Sequence, residues 1–181
     1  MRTKPNILIT GTPGTGKSTL ASAIAAACDF KNIPISSIVK GQQINSGWDD
    51  EFDCYIIDED AEDKILDYLE PIMDEGGVLL EHHSVDWFPE RWFDLVIVLR
   101  TDNTILYDRL SERNYSQHKI TENVECEIMQ VILDEARENY PIEIVQELQN
   151  DSQEQLEENL DRIVTWVDNW YEDHKNDSAD N

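Results

Sequence analysis

The sequence predicts an α/β domain in which a parallel sheet is covered by helices. Three observations carry that prediction. Five short apolar, mostly β-branched runs, at residues 6–10, 33–35, 78–81, 95–100 and 142–148, alternate with segments of helical periodicity. The first four runs carry few charges, as strands buried on both faces do. The third observation is the stretch Gly11-Thr12-Pro13-Gly14-Thr15-Gly16-Lys17-Ser18-Thr19, which follows the first run and leads into an alanine-rich helical segment.

The first run, Ile7-Leu8-Ile9-Thr10, reads as a buried strand, and residues 17–28 read as a helix because alanine is the best helix former. Between them lies G-x-x-x-x-G-K-[ST], the phosphate-loop pattern. Each residue type has a physical reason. Glycines let backbone N–H groups turn inward and approach phosphate oxygens. Lys17 can reach the outer phosphates, and the Ser18 hydroxyl suits Mg²⁺. The helix starting near Lys17 points its positive dipole end at the same anion.

The second run is the weakest of the five as a strand, because Pro34 interrupts it. Residues 60–74 form a helical pattern with Ile65, Leu66, Leu69, Ile72 and Met73, ended by Gly76-Gly77, with Pro71 able to kink it. Residues 103–112 carry Ile105, Leu106 and Leu110. Residues 122–139 carry Val124, Ile128, Val131, Ile132 and Ala136 as one helix, with Pro141 beyond its end. Ser152 with Gln155 three residues on forms a capping box for a last helix. Its Leu156, Leu160, Ile163, Val164 and Val167 should face the sheet, with Trp166 and Trp170 covering the edge of the core. The tail from about residue 175 is polar and expected to fray. No repeat or linker divides the 181 residues, so one domain is expected.

Composition narrows the function classes. Asp and Glu number 39 against 14 Lys and Arg, a formal charge of −25, which repels nucleic-acid phosphate over most of the surface. It suits either a soluble acidic surface or attraction of basic protein partners. No apolar window is long enough for a membrane span, and the first strand begins too early for a signal peptide, so an intracellular protein is expected. Cys28, Cys54 and Cys126 are far apart, without C-x-x-C, and read as reduced structural thiols.

Three features bear on chemistry. Val78-Leu79-Leu80-Glu81 ends a strand in an acid, where a carboxylate could hold Mg²⁺ directly or through water, with His82 and His83 beside it. The alternative is a strand that simply ends in polar residues. Tyr55-Ile56-Ile57-Asp58 offers a competing acid, but Asp58-Glu59-Asp60 precedes a helix, where acids cap and complement the dipole. Arg91, in Phe88-Pro89-Glu90-Arg91, could grip a phosphate bidentately or pair with Glu90 or another nearby acid. Arg109 and Arg113 share a helix face ahead of the polar stretch 114–119; they could swing onto a phosphoryl group or simply offset surface acidity.

With these residues assembled, the chain resembles the adenylate kinase isoenzyme 6 family from Pro5 to about His174. The resemblance rests on the phosphate loop, Gly47-x-Asp49, Asp58-Glu59-Asp60, Phe88-Pro89-Glu90-Arg91-Trp92, Val98-Leu99-Arg100-Thr101-Asp102, Leu106-Tyr107-x-Arg109-Leu110 and Cys126-Glu127-Ile128. It implies a P-loop kinase core with a five-stranded parallel sheet, a monophosphate-binding segment near 34–57 and a small lid near 112–122. It implies ATP on Gly14, Gly16, Lys17, Ser18 and Thr19, with Arg113 reaching its phosphates. Ser18 and Glu81 would hold Mg²⁺; Lys17, Glu81, His83 and Arg113 would serve catalysis; Lys40, Arg91 and Arg109 would hold AMP.

What the resemblance implies for function is ATP–AMP phosphotransfer, ATP hydrolysis and a part in small ribosomal subunit maturation. It also implies contact with the pre-ribosome through a basic small-subunit ribosomal protein, in nucleus and cytoplasm. The alternative is an assembly-factor ATPase that releases such a protein, with little kinase activity. A kinase for another small metabolite is a third reading, since many functions share this fold. Two positions depart from the family pattern: Glu81 stands where an Asp is usual, and Lys40 where adenylate kinases commonly have arginine.

Overall fold

The computed structural model describes residues 2–50 and 54–175. Strands β1 (Ile7–Thr10), β2 (Lys31–Pro34), β5 (Val78–Glu81), β6 (Leu95–Arg100) and β7 (Val145–Gln149) form one parallel sheet in the order β2-β5-β1-β6-β7. A separate two-stranded antiparallel pair, β3 (Trp48–Asp49) with β4 (Cys54–Tyr55), lies in the segment between β2 and β5. The helices are α1 (Lys17–Cys28), α2 (Ile35–Gly41), α3 (Glu59–Glu75), α4 (Asn103–Glu112), α5 (Gln117–Ile128), α6 (Val131–Asn139) and α7 (Gln153–Lys175).

Alternating strand residues feed two cores, as a two-residue period requires. On one face Ile7, Ile9, Leu79, Ile97 and Leu99 pack with Leu20 and Ile24 of α1 and Ile163 and Val167 of α7. On the other, Leu8, Leu80, Val96 and Val98 meet Ile65, Leu69 and Met73 of α3 and Leu133 and Ala136 of α6. Central β1 is flanked by β5 and β6, so the loop after β1 emerges mid-sheet at the carboxyl edge. At the opposite edge, buried Asn6 donates to Met73 O (2.8 Å) and Trp92 O (3.0 Å) and accepts from Val78 N–H (3.1 Å). One amide thereby ties three chain segments below the site.

Several expectations shift by physical rule. The run at 33–35 is a strand displaced toward its start, Lys31–Pro34, and Ile35 opens α2; Pro34 is tolerated because β2 lies at the sheet's edge. The last strand begins at Val145 rather than 142, because Pro141 opens a turn in which Ile144 N–H donates to Pro141 O. The single helix expected over 122–139 is two. Gln130 adopts a left-handed conformation (φ 58°) between α5 and α6, which leaves Ile128 and Val131 exposed rather than in the core.

Other expectations hold. Asp58 caps α3 by accepting from Ala61 N–H (3.0 Å), and Pro71 sits within that helix without ending it. Gly76 (φ 83°) closes it where a Cβ would lie 2.5 Å from Lys4 O. Ser152 Oγ accepts from Gln155 N–H, while the Gln155 side chain takes Asp151 N–H rather than that of Ser152. Trp166 packs against the core as expected, whereas Trp170 is not among the residues packed on it and stacks on His174 at 3.8 Å. Lys175 ends α7; the tail expected to fray, residues 176–181, lies outside the described residues. Among the described residues no helix is long and apolar enough to cross a membrane.

Candidate functional site

The loop from Gly11 to Gly16 wraps the start of α1 at the carboxyl edge of the sheet. Gly11 (φ 142°) and Gly16 (φ 96°) occupy backbone regions that side chains rarely adopt. A Cβ on Gly11 would lie 2.6 Å from Leu99 O, and one on Gly16 would collide with the Asn150 amide. The bare loop is therefore a requirement of the fold as well as of phosphate approach.

Lys17 folds back over this cradle. Its Nζ donates to Gly11 O (2.7 Å) and Thr12 O (3.2 Å), where the ammonium waits on the loop's own carbonyls. Burial lowers its pKa to about 8; Arg113 pushes the same way, while Glu81 and Glu127 oppose. The three charged groups around Lys17 thus come from β5, the end of α4 and α5.

Ser18 and Glu81 also meet. Ser18 Oγ donates to Glu81 Oε1 at 2.5 Å, and Glu81 Oε2 is buried without a hydrogen-bond partner. A buried carboxylate oxygen beside a hydroxyl, at the mouth of a phosphate cradle, is a donor set that suits a hard divalent cation. The residues present therefore fit Mg²⁺.

His82 lies deeper, its ring edge-on to Trp87 and Phe88, and burial holds its pKa well below the ordinary imidazole range. His83 is exposed beside it, just past the carboxyl end of β5. The surrounding protein, and secondarily Lys17, lowers its pKa to about 4, so it is neutral at physiological pH.

On the other side of the loop, Gly14, Gly16, Arg109, Arg113, Asn150 and Gln153 help line a cavity of about 490 Å³. Arg109 does not extend freely into it. Its guanidinium donates to Gly14 O (3.3 Å), Asn150 O (3.1 Å) and Asp151 O (2.9 Å), bracing the loop against the segment after β7. Arg113 caps the C-terminus of α4, next to Asn114 in a left-handed conformation, at the turn expected to carry the lid. Thr19 is exposed in the first turn of α1.

Two predicted residues stand apart. Lys40 is exposed in the last turn of α2, beyond the carboxyl end of β2. Arg91 is at the opposite edge of the sheet from the phosphate loop. It pairs with Glu70 (2.5 Å), and its carbonyl accepts from Arg2. The ion-pair alternative describes Arg91, and the geometry assigns it no phosphate contact at the loop.

Sequence reasoning also missed a residue. Glu127, 3% exposed, accepts from Thr12 Oγ1 (2.6 Å), Arg100 Nε (2.6 Å) and Thr101 N–H (3.0 Å). The available signal was position. On α5, Glu127 continues the line of buried Ile120 and partly buried Val124 at helical spacing, and an acid there needs partners.

The Lys17 pKa makes a pH prediction. The free protein loses the ammonium as pH rises through about 8, and a bound polyanion raises that pKa. Triphosphate binding should therefore take up a proton above pH 8, and affinity should fall with rising pH, by up to about tenfold per unit. Calorimetry in buffers of different ionisation heat measures the uptake. Constant affinity from about pH 7 to 9.5 would contradict this assignment.

Taken with the sheet order, the loop after β1 and the acid ending β5 define a P-loop kinase fold with a nucleotide-phosphate site. Solved structures agree on the fold. Shikimate kinase from Bacteroides thetaiotaomicron matches with a TM-score of 0.60 at 14% identity, covering 91% of this chain and 98% of that one. A gluconokinase from Sinorhizobium meliloti 1021 matches at 0.58 and 16%, covering 94% and 98%. A family model described as an AAA domain matches residues 7–130.

Sequence relatives narrow the class. The chain is 59% identical to the adenylate kinase isoenzyme 6 homolog of Dictyostelium discoideum, covering 94% of this chain and 96% of the relative. It is 47% identical to the homolog of Caenorhabditis elegans, covering 96% and 94%. The chain belongs to the adenylate kinase isoenzyme 6 family.

Proposed function

We propose that this chain transfers the γ-phosphoryl group of ATP to AMP with Mg²⁺, and that the same site hydrolyses ATP slowly. The observation that carries the proposal is the convergence of the Lys17 ammonium, the Ser18–Glu81 pair and the Arg113 end of α4 on one phosphate cradle. When bound, Mg²⁺ would neutralise charge on the phosphate oxygens, held by Ser18 and Glu81. Lys17 exchanges its carbonyl partners for phosphate oxygens, and Arg113 swings in as the lid segment near 112–122 closes. His83, neutral and two residues from Glu81, can orient an attacking oxygen through a hydrogen bond.

Lys40, with the segment 34–57, is assigned to the AMP phosphate. Arg109 serves by holding the loop and cavity wall rather than by gripping the acceptor. Names of the relatives support kinase chemistry.

A coupled assay of ADP formation tests the reading. Turnover should depend on AMP, and its absence with every nucleoside monophosphate would overturn the proposal.

The second reading is an ATPase that acts in maturation of the small ribosomal subunit, in nucleus and cytoplasm, by releasing a basic ribosomal protein. The charge of −25 favours it, because such a surface attracts basic partners. ATP hydrolysis that is unaffected by AMP, with a salt-sensitive complex that ATP dissociates, is its expected signature.

A further inference from the structure

We infer that Glu127 is a positioning residue for the phosphate loop: from α5 it fixes Thr12, and through Thr12 it sets the loop amides and the resting place of Lys17. The inference rests on the reading of the loop as an ATP site.

The geometry runs in one chain of contacts. Glu127 Oε2 accepts from Thr12 Oγ1 at 2.6 Å. The carbonyl of the same Thr12 receives Lys17 Nζ (3.2 Å), Thr15 N–H (3.2 Å) and Thr15 Oγ1 (2.8 Å). Whatever turns the Thr12 peptide therefore moves both the ammonium and the interior of the loop. A loop whose glycines give it conformational freedom needs such an outside restraint to present its amides in one arrangement.

Glu127 is itself held rigid. Its other oxygen takes Arg100 Nε and Thr101 N–H, its carbonyl takes Arg100 Nη2 (2.9 Å), and Arg100 reaches on to Glu147 of β7 (3.2 Å). The carboxylate is thus anchored through Oε1 to the carboxyl end of β6, and through Arg100 to β7, while Oε2 reaches the loop. Position in the chain adds meaning. α5 begins at Gln117, immediately after the turn that carries Arg113 and Asn114, and ends beside Thr12. One helix connects the arginine turn to the cradle, so a displacement of that turn is felt at Thr12.

A purely structural acid would serve Arg100 and Thr101 alone. The bond to Thr12 is the part that serves the nucleotide, and it can be removed separately. Thr12→Val keeps the shape and the Glu127–Arg100 pair while deleting the hydroxyl, and Thr12→Ser restores it.

MgATP dissociation constants by calorimetry, steady-state kinetics with MgATP varied, and thermal melts of the full chain decide the matter. Thr12→Val should weaken MgATP binding about tenfold, because a loop no longer held in one arrangement must be ordered when the nucleotide binds. Its KM for MgATP should rise more than kcat falls, and Thr12→Ser should return to within about twofold of wild type. In the double variant Thr12→Val with Glu127→Ala, which removes both carboxylate oxygens, binding should be no weaker than in Glu127→Ala alone, the non-additivity of residues acting as a unit. If Glu127→Ala does not fold, the two Thr12 variants decide alone.

Wild-type affinity in Thr12→Val, failure of Thr12→Ser to recover, or additive effects would each overturn the inference while leaving the functional reading intact. A wild-type chain that binds no MgATP would overturn both.

Discussion

Lys17→Met is expected to lower phosphoryl transfer by about 10²–10³-fold, the scale of losing one preorganised charge stabiliser from a phosphoryl transition state. The same change should leave the melting temperature unchanged or raise it. The reason is the cost of the native arrangement: burial holds the free-protein pKa at about 8, below the lysine value of 10.5. A depressed pKa means that folding disfavours the ammonium, so at neutral pH the charged group weakens the fold. Stability gained from this group is present only above pH 10.5 and is lost as pH falls through 8. Removing the amine removes that penalty, and the methylene packing stays. Loss of turnover together with a marked drop in melting temperature would mean that Lys17 is a structural residue.

Glu81→Gln is expected to cut kcat by about 10²-fold at cellular Mg²⁺ and to shift the Mg²⁺ requirement to higher concentration. The amide oxygen can still accept from Ser18, so the hydrogen bond at 2.5 Å has a substitute. What is lost is the negative charge beside the buried, unpartnered Oε2. Glu81→Asp keeps that charge and should retain more activity than Glu81→Gln, although the shorter side chain draws back from Ser18. Titrating turnover against Mg²⁺ for the three proteins separates these outcomes. An unaltered Mg²⁺ dependence in Glu81→Gln would remove Glu81 from the metal seat.

Much of this site was legible because its signals are local. A phosphate loop specifies its own backbone, and the strand before and helix after it are short-range patterns. Glu81 could be placed because it ends a short apolar run in an acid, and the pairing of that strand with β1 does bring it beside the loop. Arg91 misled because a sequence does not show at which edge of a sheet a turn falls. The connection after β5 travels back to the amino edge before β6 begins, so Arg91 meets Glu70 and Arg2 instead of phosphate.

The α5–α6 break was invisible for a different reason. Gln130 carries no turn signature, yet the chain turns there, and residues 122–139 keep a helical pattern on both sides. Reading through the break put Ile128 on the buried face, whereas the structure exposes it and buries Glu127. Arg109 lay between these cases. Its placement near the loop was readable from helical spacing with Arg113, but its commitment to three backbone carbonyls depends on β7 and the segment after it.

The central claim is that the cradle between β1 and α1 captures the triphosphate of ATP. Titrating MgATP into the full chain in a calorimeter tests it most directly. Saturable heat with one nucleotide per chain, abolished or strongly weakened by Lys17→Met, is the predicted result. No heat from the wild-type protein across a range of temperatures, or equal binding by Lys17→Met, would contradict the account.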